Sequence, residues 1–404
     1  MPALLNFSQP LADVLSKARS DAQRAALQRF DDHGLPHPRM ERWKYTNPSK
    51  ALTDQTFILQ PARTPLPAPL AKKIEAIATP RLVLHNGVID PDTSHDVENL
   101  LSIPTTPPAV TGNCFAELSI ALSDAPFSLA LHKNTHLTIV HVIAGDQPTA
   151  AFSCGMIEIA GEAQIDEIFL SPETPTGHLA CPGLMMTLAP GARVNRQRII
   201  DAPALAMLAT NDVITIPERA TCRSFTANLR GQLLINETHA RLAGAGGDAR
   251  ISGCSITRAH VDNTSLVEHI APSCTSRSVF YSIASDKGRI ATQGKIHVHR
   301  TAQQTDGYQM SRGLLLSKQA EIDHKPELEI YADDVKCSHG ATVGELDKDA
   351  LFYLRARGIY ISQARQMLIK GFVHTAIDEI TDDDARARVT QAADQAVERL
   401  AQSF

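Results

Sequence analysis

Between about residue 80 and residue 345 the chain is a succession of short apolar or alternating runs, with no long helical period between them. "RLVLH", "HLTIVHVIA", "AQIDEIFL", "ARVNRQRII", "SVFYSIA" and "KIHVHR" are representative. Most such runs are rich in Val, Ile, Leu or Thr and bounded by Gly, Asn, Asp or Pro, which is the pattern of strands. A βαβ sheet needs a helix after each strand, so that class is excluded. A propeller, a large sandwich or a β-solenoid remains. No blade-length repeat recurs, as a propeller requires. Small residues crowd at corners ("RLAGAGGDARISGC"), and His, Asn and Thr recur at turns. Both features favour a parallel β-helix, in which such residues stack coil upon coil.

The flanks have a different period. Residues 1–75 read as a helical domain with a linker. Leu11, Val14 and Leu15 share a helical face, and Ser20 opens "SDAQRAALQRF" as a capping residue. "LQPARTPLPAPLAKK", 59–73, holds four prolines and reads as the linker. Residues 76–345 form the β-helix core. Residues 346–404 return to a helical period: Asp347 caps a helix carrying Leu351, Phe352 and Leu354, and Gly358 ends it. "SQARQMLIKGFVHTAIDEI" follows, with Ala364, Met367, Leu368 and Phe372 at helical spacing. In the last helix the stripe is Ala385, Val389, Ala393, Val397 and Leu400.

Composition narrows the function. A net charge of −5 argues against a general nucleic-acid binder. No apolar run approaches the ~20 residues that span a bilayer, and the N-terminal stretch lacks a signal-peptide layout, so the expectation is a cytoplasmic protein. The seven cysteines are scattered without a CxxC pair, which predicts buried thiols rather than disulfides or a zinc ribbon. The chain has no GxxxxGK[ST] loop, GxGxxG, HExxH or GxSxG.

What remains is Cys337-Ser338-His339-Gly340. In an extended segment residues two apart point to one face, so a thiol and an imidazole stand about one pleat apart. Both donors suit iron–sulfur clusters, zinc or copper, but two ligands do not close a tetrahedral site. The pair is either half a site or a buried thiol beside a histidine that caps a carbonyl, and residue chemistry alone favours the second. His297 and His299 make another same-face pair, read as a solvated face opposite Ile296 and Val298. Trp43 and Tyr45 in "MERWKYTN" read as anchors of the helical flank on the β-body.

Longer motifs carry a family likeness. "LEIYADDVKCSHGATVGELDKDALFYLRARGI", the upstream "HVHRTAQQTDGYQMSRGLLLSKQAEIDHKPE", "VDNTSLVEHIAPSCTSRSVF" (with Asp262, Thr264, His269, Pro272 and Ser276) and "ERWKYTN" together resemble the SufB/SufD family of iron–sulfur cluster assembly scaffolds. The length, the short helical flank and the CSHGATVG run resemble the branch that pairs with SufB. The resemblance implies a right-handed parallel β-helix between two helical domains and a non-enzymatic subunit. It also implies a transient iron–sulfur cluster at the interface with SufB, with His339 as this chain's ligand and Cys337 beside it. A SufC ATPase would dock on the C-terminal helical domain, where the docking residues are Asp347, Leu351, Phe352, Tyr353, Arg355 and Arg357. A flavin is associated with the assembled complex, without a locus here. The chain would carry no ATP site of its own. Two alternatives stand beside this one: a carbohydrate-active β-helix enzyme, which needs clustered carboxylates on one face, and a homodimeric scaffold independent of SufB.

Overall fold

Strands joined by corners too tight for helices can bury a face only by stacking successive coils. The computed structural model describes residues 3–8, 11, 20–59, 65–78, 80–102, 113–132 and 134–401, and it shows such a stack. From Phe127–Leu131 onward consecutive strands alternate between an 11-stranded and a 10-stranded sheet, and strands inside the stack pair in parallel with the strand one coil earlier and one coil later. Stacked side chains lie 27 residues apart at Asp248 and Thr275 and 31 apart at Ser273 and Gln304. The coil length varies, which explains why no sequence repeat is visible. The antiparallel strand pairs lie in the N-terminal part: Ala3–Asn6 with Thr56–Leu59, Arg81–His85 with Val88–Ile89, and Leu101–Ser102 with Phe127–Leu131, beside an isolated antiparallel bridge between Arg81 and His95.

The space between the sheets has two apolar layers. One holds Ile159, Ile165, Met186, Leu188, Val194, Ile214, Ile216 and Leu242. The other holds Ile143, Phe169, Ile200, Leu208, Leu234 and Val261. Between them runs a polar seam. Arg196 and Arg198 are fully buried, with Glu167 and Asp212 between their guanidinium groups. Arg196 Nη1 donates to Asp212 Oδ2 at 2.8 Å and Arg198 Nη2 to Asp212 Oδ1 at 2.9 Å. The Nε atoms of both arginines donate to Glu167 Oε2 at 3.0 Å. The seam continues through Thr210, Asn236, Asn228 and Asn263, each joined to the next by a side-chain hydrogen bond of 2.9–3.1 Å. Most buried polar atoms in proteins are satisfied in this way.

The helices cover the outer faces. Ile369, Val373, Val389 and Val397 of helices Ile361–Ile377 and Asp383–Ala401 pack on Phe225, Ala227, Cys254 and Ile256 of the 10-stranded sheet. Arg277–Glu379 at 3.1 Å and Arg388–Asp166 at 2.6 Å pin them there. The apolar stripe of the last helix therefore faces its own sheet. On the 11-stranded sheet Trp43 is buried edge-on to Phe115, 5.7 Å between centroids, and Tyr45 is half-buried.

Several expectations change. The proposed linker 59–73 contains the last residue of a strand and the start of helix Ala68–Glu75, because Pro67 and Pro69 fit a helix's first positions. Leu70 and Ile74 bury against Val83 and Val140. The core also contains a helix, Cys114–Leu122, whose residues from Phe115 onward are all buried, so it has no polar face to betray its period. Leu11 is buried, while Val14 and Leu15 lie outside the described residues.

Candidate functional site

The last coil has a strand in each sheet, Glu321–Ile330 and Val335–Glu345, and each ends its sheet. Val335–Glu345 is paired on one side only, with Thr305–Leu315. Cys337 stacks on Gly307 and His339 on Gln309. Alternation places Cys337, His339, Ala341 and Val343 on the side that faces between the sheets. Cys337 packs there against Ile296 and Leu328, and a Cβ added at Gly307 would lie 3.4 Å from its Sγ. Beneath His339, Gln309 Nε2 crosses to Glu327 O at 3.1 Å. No coil covers this layer: His339 is exposed, Cys337 half-buried, and Val343 and Tyr331 are 45% and 59% exposed. An 11-residue strand with one open edge is a template for another chain's strand.

The two donors are not equivalent. Burial holds the Cys337 thiol above its ordinary range, with Asp306 adding to the shift and the Gly307 amide opposing it. A thiol held protonated is a poor ligand until its surroundings change. No group of three His, Cys, Asp or Glu side chains among the described residues is placed to hold a metal ion. The edge thus presents two donor side chains, too few to close a metal site within the described residues. Ile296 and Val298 are buried, as expected, with His297 and His299 on the opposite face. Those two rings stand 4.6 Å apart, His297 near Glu329 at 3.3 Å and His299 near Glu268 at 2.8 Å.

Just beyond the edge, Asp347 Oδ1 accepts from the Asp349 and Ala350 amides and starts helix Lys348–Ala356. No residue of that helix is buried. Phe352 is 73% exposed, and Tyr353, Arg355 and Arg357 are exposed with it, while Leu351 is half-buried. Tyr360, Ile361 and Met367 extend the exposed apolar surface. Five cysteines are buried, Cys114 and Cys337 are half-buried, and none is in a disulfide.

The spaced motif residues serve the fold. Asp262 accepts from Thr46 and from Thr264, tying the N-terminal flank to the sheet. His269 Nε2 lies 2.8 Å from Ser276 Oγ inside the solenoid, and burial pushes its pKa down to about 4 from 6.5. Between those values the unfolded chain binds a proton that the folded chain refuses, so this contribution is complete above pH 6.5 and is lost as the pH falls towards 4. His269→Gln is expected to flatten the stability profile between pH 5 and 6 by about 1.4 kcal/mol per pH unit. Denaturant titrations of both proteins across that range measure it; parallel profiles would contradict it. The buried carboxylates Glu167 and Asp212 are held by arginines and do not form the free pair that a glycoside hydrolase needs.

Fold and edge together define a β-solenoid that ends in an open strand carrying a thiol and an imidazole. Residues 131–372 match the SufBD core domain of SUF-system FeS cluster assembly. The chain belongs to the SufB/SufD family. It is 31% identical over 395 residues to the iron–sulfur cluster assembly protein SufD of Escherichia coli, covering 92% of this chain and 91% of that one. An iron–sulfur cluster assembly SufBD family protein of Synechocystis is 32% identical over 199 residues, 49% of this chain and 38% of its own. The chloroplastic protein ABCI7 of Arabidopsis thaliana is 43% identical over 104 residues, 26% of this chain and 22% of its own. Within the family the likeness over the full length is therefore to SufD, in iron–sulfur cluster assembly. No helix among the described residues is long and apolar enough to cross a membrane.

Proposed function

We propose that this chain is a scaffold subunit, without catalysis of its own, of a SufBCD complex in the cytoplasm. It pairs with SufB through the strand Val335–Glu345, and a nascent iron–sulfur cluster forms across that interface as cargo. His339 supplies a ligand, Cys337 is its neighbour, and SufB supplies the rest. The observation that carries this reading is the exposed imidazole of His339 on an edge strand paired on one side only. A neutral imidazole binds iron without giving up a proton, whereas the half-buried Cys337 thiol must first lose its own.

The SufC ATPase docks on the C-terminal helical domain. In support, helix Lys348–Ala356 buries none of its own residues, and its exposed Phe352 and Tyr353 stand beside Arg355 and Arg357. Aromatic and Arg side chains are the residues that anchor interfaces. ATP hydrolysis on SufC would move this helix, which follows the ligand strand after only two residues, Leu346 and Asp347. Any flavin of the assembled complex has no locus assigned on this chain.

Co-expression with SufB and SufC tests the proposal. Wild type is expected to co-purify with both. Phe352→Glu should keep SufB and weaken SufC retention by roughly tenfold or more, as expected for an interface anchor. Failure of wild type to bring down SufB would overturn the heterodimer reading. Unchanged SufC binding by the variant would move the docking site elsewhere.

A further inference from the structure

The outer face of the 11-stranded sheet carries a feature that the cluster-assembly reading does not use. Coil upon coil, Gly183, Asn211, Glu237, Thr264, Gln293 and Lys325 stack in one column running towards the last coil. The turn Glu41–Trp43 and helix Cys114–Leu122 roof the column without closing on it. Between roof and sheet lies a slot of about 470 Å³, a volume typical of small-molecule sites. Its inner part is apolar, with Ala116, Ile120, Met185 and Val213, and its outer part is charged, with Glu41, Lys295, Lys325 and Glu327.

Two observations specify an occupant. First, the charges along the slot already face opposite charges. Arg42 meets Glu237 at 2.7 Å, Lys325 meets Glu41 at 2.8 Å, and Lys295 meets Glu329 at 2.6 Å. An ionic ligand would have to break one of these pairs. Second, Asn211 lines the apolar part and is only 4% exposed. Its Nδ2 donates to Ala209 O at 3.1 Å, but its Oδ1 has no hydrogen-bond partner. A buried carbonyl oxygen left unpaired costs about 1–3 kcal/mol, and a donor entering the slot would recover it. The floor is the flat face of a sheet, and the thioether of Met185 favours contact with an aromatic ring.

We propose that this slot binds a flat, uncharged small molecule that carries an N–H or O–H donor, with Asn211 Oδ1 as the acceptor and Met185, Val213 and Ile120 as the apolar walls. The site is independent of the edge strand and of the role assigned to His339.

Indole and 1-methylindole are suitable probes, since they differ by one donor. Saturation-transfer NMR on the full chain should show saturable binding of indole, with 1-methylindole weaker by about tenfold, the worth of one hydrogen bond. Asn211→Leu should remove that difference. Val213→Trp should fill the slot and abolish binding of both probes. Melting curves identify any variant that fails to fold, and the comparison of the two probes on wild type needs no variant. Equal binding of the two probes, no saturable binding of indole, or binding unchanged in a folded Val213→Trp protein would each overturn the site.

Discussion

His339→Ala is expected to cut the iron–sulfur cluster assembled on the complex with SufB and SufC by about tenfold or more, since losing a ligand costs at least as much as losing its supporting contacts. The side chain is exposed and its atoms support no buried contact, so the melting temperature and SufB co-purification should not change. Those two controls separate a ligand from a structural residue. Cys337→Ser should give a smaller loss, because the thiol it replaces is held protonated. Cluster content after anaerobic reconstitution, read from the visible absorption and the iron and sulfide content, is the measurement. Equal yields from wild type and His339→Ala would remove His339 from the ligand set.

The largest effect on stability is expected inside the solenoid. Burial tends to lower the Arg196 guanidinium's pKa, but Asp212 and Glu167 raise it more, so it stays charged. Burial raises Glu167 as well, yet Arg196 and His141 bring it below its ordinary value. Asp212 goes the other way, with burial outweighing Arg196 and holding it up at about 6. Arg196→Met would leave two carboxylates facing one guanidinium with no water. Breaking a buried ion pair from one side costs about 3–5 kcal/mol. Replacing all four charges by apolar residues of similar volume should cost far less than the single change, because no charge is then left unpaired. Chemical denaturation followed by far-ultraviolet circular dichroism compares the three proteins. A single variant within about 1 kcal/mol of wild type would contradict the claim that the seam is a fully desolvated network.

The seam also shows where sequence reading stops. "ARVNRQRII" reads as a strand, and it is one, but polarity alone would turn its arginines outward, although alternation sets them on the face of the buried Val194 and Ile200. The structure turns Arg196 and Arg198 inward because their partners meet them there: Glu167 comes from the preceding coil and Asp212 from the facing sheet. Pairing across coils leaves no local trace. His178–Leu188 contains Pro182 and Gly183, and Thr305–Leu315 contains two glycines, so neither has strand propensity of its own; the ladders on either side impose the conformation. By contrast, the last helix was legible residue by residue. Ala385, Val389, Ala393, Val397 and Leu400 are all buried, whereas helix Ile361–Ile377 buries Ala364, Ile369, Val373, Ala376 and Ile377, so that of the expected stripe Ala364, Met367, Leu368 and Phe372 only Ala364 is buried and Met367 is 51% exposed. The CSHG pair was legible as two donors on one face, with residue chemistry alone favouring an inert pair over half a site. That it lies on a free edge depends on the number of coils, which no short motif encodes. The slot roofed by Glu41–Trp43 joins residues from Glu41 to Glu327 and had no signal in the sequence.

The central claim is that Val335–Glu345 is the strand on which SufB pairs. Hydrogen–deuterium exchange of the chain, alone and mixed with SufB, tests it directly. The edge amides that have no partner in the 10-stranded sheet should exchange fast in the free chain and become protected on mixing. Amides at the opposite end of the solenoid, such as Ala3–Asn6, should not change. Protection confined to that far end, or absent from Val335–Glu345 while SufB is demonstrably bound, would contradict the account.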